Sequence, residues 1–140
     1  MPPQNWHIQQ IPGISQQQQT QLANLGIATT FDLLRHIRTP AQKRTLSKRL
    51  AVSLRDVNKW LAMADLARVP AVGCQYCGLL LHAGIGSAAQ LATMPIQHVH
   101  AQVQRLQVQQ LRRADLCPDR SQIATWIQGA KQISKISSSF

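Results

Sequence analysis

The chain matches itself at an offset of 58 residues. Ile11-Pro12-Gly13-Ile14-Ser15 lies over Val69-Pro70-Ala71-Val72-Gly73, and without a gap Leu22 meets Leu80, Gly26-Ile27 meets Gly84-Ile85, Thr29 meets Ser87 and Leu33 meets Leu91. A later stretch repeats at an offset of 66, where Leu50, Val57 and Trp60 meet Leu116, Ile123 and Trp126. A longer connection in the second copy accounts for the change of offset. Self-similarity at a fixed period means that one supersecondary unit is used twice, each copy burying its apolar face against the other. The expected division is an N-terminal arm over 1–10, a first unit over 11–66, a second over 67–133 and a frayed tail over 134–140.

Each copy reads as short helices separated by punctuation. In the first, Ser15 can cap a helix over 16–25 with Gln18 at the reciprocal position of a capping box, and Gly26 ends it in the left-handed conformation. Thr29 with Asp32 repeats the box for a helix over 30–37, and Thr39-Pro40 opens the next, over 40–50, with proline harmless at the first helical position. Ser53 with Asp56 starts the longest, over 54–66, with Leu54, Val57, Leu61 and Ala64 on one face. The second copy predicts helices over 74–83, closed by Gly84, over 88–92 after Ser87, over 95–111 with one break, and over 118–133. No alternating Val/Ile/Thr-rich run competes for strand. Hydrophobic residues make up 44% of the chain and aromatic ones 4%, so the core is aliphatic. The expected fold class is all-α, two tandem units packed as one compact helical domain.

The order apolar-Pro-Gly-apolar, about ten helical residues, then Leu-x-x-Leu-Gly-Ile-x-Thr, here Leu22 to Thr29, resembles the helix-hairpin-helix motif. In the DNA-binding members of that family a Gly-apolar-Gly hairpin presents backbone amides to a phosphate, which is the general chemistry of a helix N-terminus. The whole chain, over residues 8–133, also resembles a family of bacterial proteins of unassigned function that carries two such motifs. Between them lies a Trp-x-x-x-Ala-Asp-Leu segment, here Trp60 to Leu66. The resemblance implies a tandem helix-hairpin-helix fold, with Pro12, Gly13, Ile14 and Ser15 as one hairpin loop and Pro70, Ala71, Val72 and Gly73 as the other. Both depart from the DNA-binding pattern. Ser15 stands where a second glycine is expected, Ala71 where a first one is, and neither loop is followed by Lys or Arg. Two readings of the loops stand: phosphate binding through their amides, or hairpins that only shape the fold.

Charge carries the main functional signal. Lys and Arg number 15 against 5 acids, all of them Asp, for a formal net charge of +10. Such a balance speaks of partners: nucleic acid, an acidic protein or assembly, or anionic headgroups. Eight of the cations fall between Arg35 and Lys59, namely Arg35, Arg38, Lys43, Arg44, Lys48, Arg49, Arg55 and Lys59, with only Asp56 among them. Arg44 and Lys48 stand one helical turn apart, as do Arg55 and Lys59, so a continuous basic ridge is expected. Arg105, Arg112, Arg113 and Arg120 form a smaller counterpart in the second copy. The plainer alternative is a solvated face that keeps a Glu-free protein in solution.

Other chemistry is thin. Cys74-x-x-Cys77 sits where a helix begins, a position that lowers a thiol pKa, yet no strand-helix context of a redox fold surrounds it. His82, His98, His100 and Cys117 lack the spacing of a zinc site. No carboxylate pair, Ser/His/Asp set or phosphate-loop motif is present, so neither an enzyme nor a bound cofactor or metal is expected. Trp60 and Trp126 read as core residues. Trp6 is either a cap folded back on the first copy or an exposed contact for a partner.

Three cysteines, with no basic start and apolar run at Met1 to Trp6, point to a reducing cytoplasm. No apolar stretch reaches the roughly 18 residues of a membrane span. The expectation is a basic binding module that holds nucleic acid, DNA in particular, without reading its sequence. The alternative is a protein-protein adaptor that docks on an acidic protein or large complex. The oligomeric state is left open.

Overall fold

The computed structural model describes residues 3–106 and 118–136. Among them the chain forms a short 3-10 turn, Ile8–Gln10, and eight α-helices. The first half holds α1 (Gln16–Asn24), α2 (Thr30–His36), α3 (Pro40–Leu50) and α4 (Leu54–Ala67). The second holds α5 (Gly73–His82), α6 (Ala88–Thr93), α7 (Ile96–Leu106) and α8 (Arg120–Ile136). No strand occurs among the described residues, the nearest approach being an isolated antiparallel bridge between His7 and Thr29. The fold is all-helical, as composition and periodicity led one to expect.

Helix boundaries follow local chemistry. Ser15, Thr29 and Thr39 each accept the N3 backbone N–H, while the N3 side chains of Gln18, Asp32 and Gln42 return to the cap backbone, completing three capping boxes. Ser53 accepts from Asp56 N–H at the start of α4. Asp119, which carries no signal in the sequence reading, accepts from Gln122 N–H at 2.8 Å and starts α8 two residues later than expected. At the other end α8 runs to Ile136, three residues beyond the expected stop at Ile133. The expected extension of α7 to residue 111, and Leu116, Cys117, Arg112 and Arg113, lie outside the described residues.

Backbone hydrogen bonds recur at the same spacing as the sequence matches. Ile11 N–H donates to the Ile8 carbonyl and Val69 N–H to that of Leu66, each at 3.1 Å. Ile27 N–H donates to Leu22 and Ile85 N–H to Leu80, each at 2.9 Å. Ala71 has φ +74° where Gly13 has +89°, and Gly84 has +96° where Gly26 has +83°. An L-residue in the left-handed region costs about 1–2 kcal/mol, so Ala71 holds its conformation against a local penalty.

One core spans both halves. α4 packs on α2 and α3 and also on α5, while α8 packs on α6 and α7. Val57, Trp60, Ile123 and Trp126, matched at an offset of 66, are all buried, consistent with core roles for both tryptophans. Asp65, in the Trp-x-x-x-Ala-Asp-Leu segment, ties the halves together. Its carboxylate pairs with the buried Arg68 through Oδ1 and accepts from Ala88 N–H, at the start of α6, through Oδ2 at 2.7 Å.

Trp6 joins both halves rather than capping one. Its backbone N–H donates to the Thr30 hydroxyl and its carbonyl accepts from Thr30 N–H, while the indole Nε1–H donates to the Ala67 carbonyl at 2.8 Å. The ring lies on Gly73, where a Cβ would come within 2.8 Å of Cζ2. The arm therefore runs from α2 to the second loop and covers it.

Candidate binding surface

The cations between Arg35 and Lys59 sit on three consecutive helices and their connections. In α3, Leu46 and Leu50 turn to the core, which leaves Arg44 and Lys48 one turn apart on the outer face with Arg49 beside them. In α4, Val57 and Trp60 are buried and Arg55 and Lys59 face outward, again one turn apart. α3 and α4 pack together, and Arg55 and Lys59 border Leu81 and His82 of α5. Seven of the eight cations are exposed and Lys43 is half-buried. Arg35 lies over the Phe31 ring, its guanidinium carbon 6.0 Å from the centroid. Among the described residues, no carboxylate stands within ion-pairing distance of Arg38, Arg44, Lys48, Arg49, Arg55 or Lys59. In the second half Arg105 and Arg120 are exposed, and the positions of α8 that match Arg55 and Lys59 hold Ser121 and Thr125.

The two loops that resemble phosphate-binding hairpins are placed differently. In the first, Pro12, Gly13 and Ser15 are exposed and Ile14 is buried. Its helix N-terminus is already served, since Ser15 N–H donates to Gln18 Oε1 at 2.9 Å and Gln18 N–H to Ser15 Oγ at 3.1 Å. In the second loop Pro70, Val72 and Gly73 are buried and only Ala71 is exposed. Val72 N–H and Gly73 N–H both donate to the Val69 carbonyl, Trp6 covers Gly73, and Trp126 Nε1–H donates to the Ala71 carbonyl at 3.1 Å. α8 presses on the same loop. A Cβ on Gly129 would stand 3.0 Å from the Pro70 carbonyl oxygen. The second loop thus presents no row of open amides.

The Cys74-x-x-Cys77 pair lies in the first turns of α5, with Cys77 buried and Cys74 half-buried. A hydrogen bond to Cys77, then burial, pushes the Cys74 thiol far above its ordinary pKa, and the same hydrogen bond holds Cys77 below its own. The thiol pushed up is thus the one nearer the helix N-terminus, the opposite of the direction that helix position alone leads one to expect. Among the described residues no group of three His, Cys, Asp or Glu side chains stands close enough to hold a metal. No helix among them is long and apolar enough to cross a membrane.

One feature has almost no trace in the sequence. Between the end of α1, the end of α2 and α3 runs an open groove of about 400 Å³, with Leu25, Ile27, Ile37 and Leu46 in its wall and His36 and Arg49 on its lining. Its only sequence signal is an apolar residue at each of two helix ends, Leu25 and Ile37, with nothing to say that the end stays uncovered.

A family model described as a domain of unknown function, DUF4332, matches residues 12–133. No curated protein and no solved structure matches the chain. The matched span takes in both loops, the basic ridge and α8 as far as Ile133, so the chain belongs to the DUF4332 family.

Proposed function

We propose that the chain is a non-catalytic binding module made of two helix-hairpin-helix-like copies, and that the α3–α4 ridge grips the phosphate backbone of nucleic acid without reading sequence. The observation that carries this reading is the ridge: cations exposed on the outer faces of two packed helices, with no carboxylate among the described residues paired to Arg44, Lys48, Arg49, Arg55 or Lys59. Cations so placed displace the condensed counterions of a polyanion, which supplies most of the free energy of non-specific binding. The recurrence of hydrogen bonds and φ angles 58 residues apart supports the two-copy reading. The hairpin amides have a lesser part in it, because one loop is served by its own side chains and the other is covered.

The test is a gel shift with random-sequence duplex DNA, single-stranded DNA and RNA across a salt series. Engagement of about five phosphates gives a log–log salt slope near −4 to −5 on duplex. Replacing Lys43, Arg44, Lys48 and Arg49 together with Gln should abolish the shift while leaving the helical circular-dichroism spectrum unchanged. No shift at low salt, together with a protein partner retained from nuclease-treated lysate, would sink the nucleic-acid reading in favour of an adaptor for an acidic protein.

A further inference from the structure

The turn beside the groove on the first half differs in its surroundings from the matching turn of the second half. At the α5–α6 turn, α7 packs against α5, and a Cβ on Gly84 would stand 3.8 Å from the Gln102 amide nitrogen. At the matching α1–α2 turn, a Cβ on Gly26 would meet nothing within 4 Å. Both glycines are exposed, but the Gln102 side chain of α7 reaches the second turn and no side chain reaches the first. The open site is walled by aliphatic side chains, of which Ile27 and Leu46 are buried while Leu25 and Ile37 remain partly accessible. Among the described residues no carboxylate lines it. Arg49 and His36 stand on its lining, and Arg38, exposed, follows Ile37 at its edge.

We propose that this groove docks an acidic amphipathic helix of a partner protein, with aliphatic anchors entering between α1 and α3 and carboxylates reaching Arg49 and Arg38. A groove of about 400 Å³ takes the anchor side chains of such a helix, the recurring mode in which residues at i, i+3 or i+4 fill an apolar cleft. Cations at the rim select the partner by charge and speed its arrival. Nucleic acid does not suit the same place, because bases stack on aromatic platforms and the lining holds no aromatic side chain beyond the His36 imidazole at its edge. The groove takes a different face of α3 from Arg44 and Lys48 and shares Arg49 with the ridge.

The experiment pans a display library of random 16-residue peptides on the full chain and on three variants. Ala41 is exposed, lines the groove and is the second residue of α3, where a carboxylate favours the helix N-terminus, so Ala41→Glu should fold as the wild type does. Enriched peptides should carry aliphatic residues at helical spacing with acidic residues between them. They should bind Ala41→Glu about tenfold or more weakly, Ala41→Gln by a smaller factor, and Arg44→Gln/Lys48→Gln within about threefold of wild type. Thermal melting of each variant checks the fold. Failure to enrich, enrichment without acidic bias or helical spacing, or enriched peptides indifferent to Ala41→Glu would overturn the proposal.

Discussion

The two loops share a left-handed turn at Gly13 and Ala71, part company where Ser15 is extended and the matching Gly73 has φ +54°, and carry opposite surroundings. Gly13 stands in open space, while Gly73, two residues past the point that matches Gly13, lies under the Trp6 ring. The first loop spends its side chains on capping its own helix; the second has no side-chain cap and is held instead by two indoles and by α8. Duplication of a unit therefore does not duplicate its surface. One copy's loop is free to meet solvent because the other copy's loop serves as the seam between the halves.

The largest expected effect tests that seam. Gly73→Ala meets both a left-handed φ of +54° and the Trp6 ring, whereas Gly13→Ala meets only its φ of +89°. Urea denaturation should show a loss of about 2–3 kcal/mol for Gly73→Ala against about 1–2 kcal/mol for Gly13→Ala. With Trp6→Ala in the background, the cost of Gly73→Ala should fall to about that of Gly13→Ala, a coupling that a double-mutant cycle reads directly. Equal costs at the two glycines in the wild-type background would remove the distinction between the loops.

The next effect concerns charge. Arg55 and Lys59 on α4 correspond to Ser121 and Thr125 on α8, and the exchange Arg55→Ser/Lys59→Thr gives the first half the neutral face of the second. Duplex DNA binding near physiological salt should weaken about tenfold, and the salt slope should shrink by about 2, one unit for each phosphate no longer engaged. An unchanged slope would mean that α4 takes no part in the ridge.

Much of this contrast could be read in advance, and the part that could not has a physical cause. Capping boxes, glycine stops and the aliphatic stripes are local, and the expected helices over 16–25, 30–37, 40–50 and 54–66 differ from the observed ones by at most one residue at either end. The exposed pairs Arg44 with Lys48 and Arg55 with Lys59 were legible for the same reason, because i,i+4 spacing on a helix fixes which side chains share a face. Coverage is not local. Nothing around Gly73 announces that an indole 67 residues away will rest on it, and Leu25 and Ile37 look like ordinary core residues until α3 is seen to leave them open. Asp65 was visible only as part of a shared segment, since its partner at Ala88 lies 23 residues on.

A smaller effect separates the α2 and α6 caps, which are matched in position and differ in chemistry. Asp32 closes the α2 box, whereas at α6 Ser87 Oγ accepts from Gln90 N–H and the Gln90 side chain accepts from Gly86 N–H instead of from the cap residue. Burial pushes the Asp32 carboxyl up, but hydrogen bonds from Ala28 and Thr29 outweigh it and hold its pKa below the ordinary aspartate value. A depressed folded-state pKa contributes stability that is present above the unfolded value and is lost as pH falls through the folded one. In an acid titration followed by NMR, the Ala28 and Thr29 amides should shift with a midpoint below that of an unstructured aspartate. The Gly86 and Ser87 amides should stay flat across the same range. A midpoint at or above the unstructured value would show that the α2 box is not made in solution.

The smallest effect addresses the first loop itself. Ser15→Gly restores the Gly-Ile-Gly sequence of a phosphate-binding hairpin and removes the hydroxyl that now occupies Gln18 N–H. Stability should fall by only a few tenths of a kcal/mol, since glycine is nearly as good an N-cap as serine. If the α3–α4 ridge holds nucleic acid, affinity for duplex DNA at low salt should change less than about twofold, because freeing one amide adds no cation to displace counterions. A gain of about tenfold would instead move the main contact from the ridge to the loop. It would also mean that the capping box which orders α1 masks a phosphate site on the half whose loop is open.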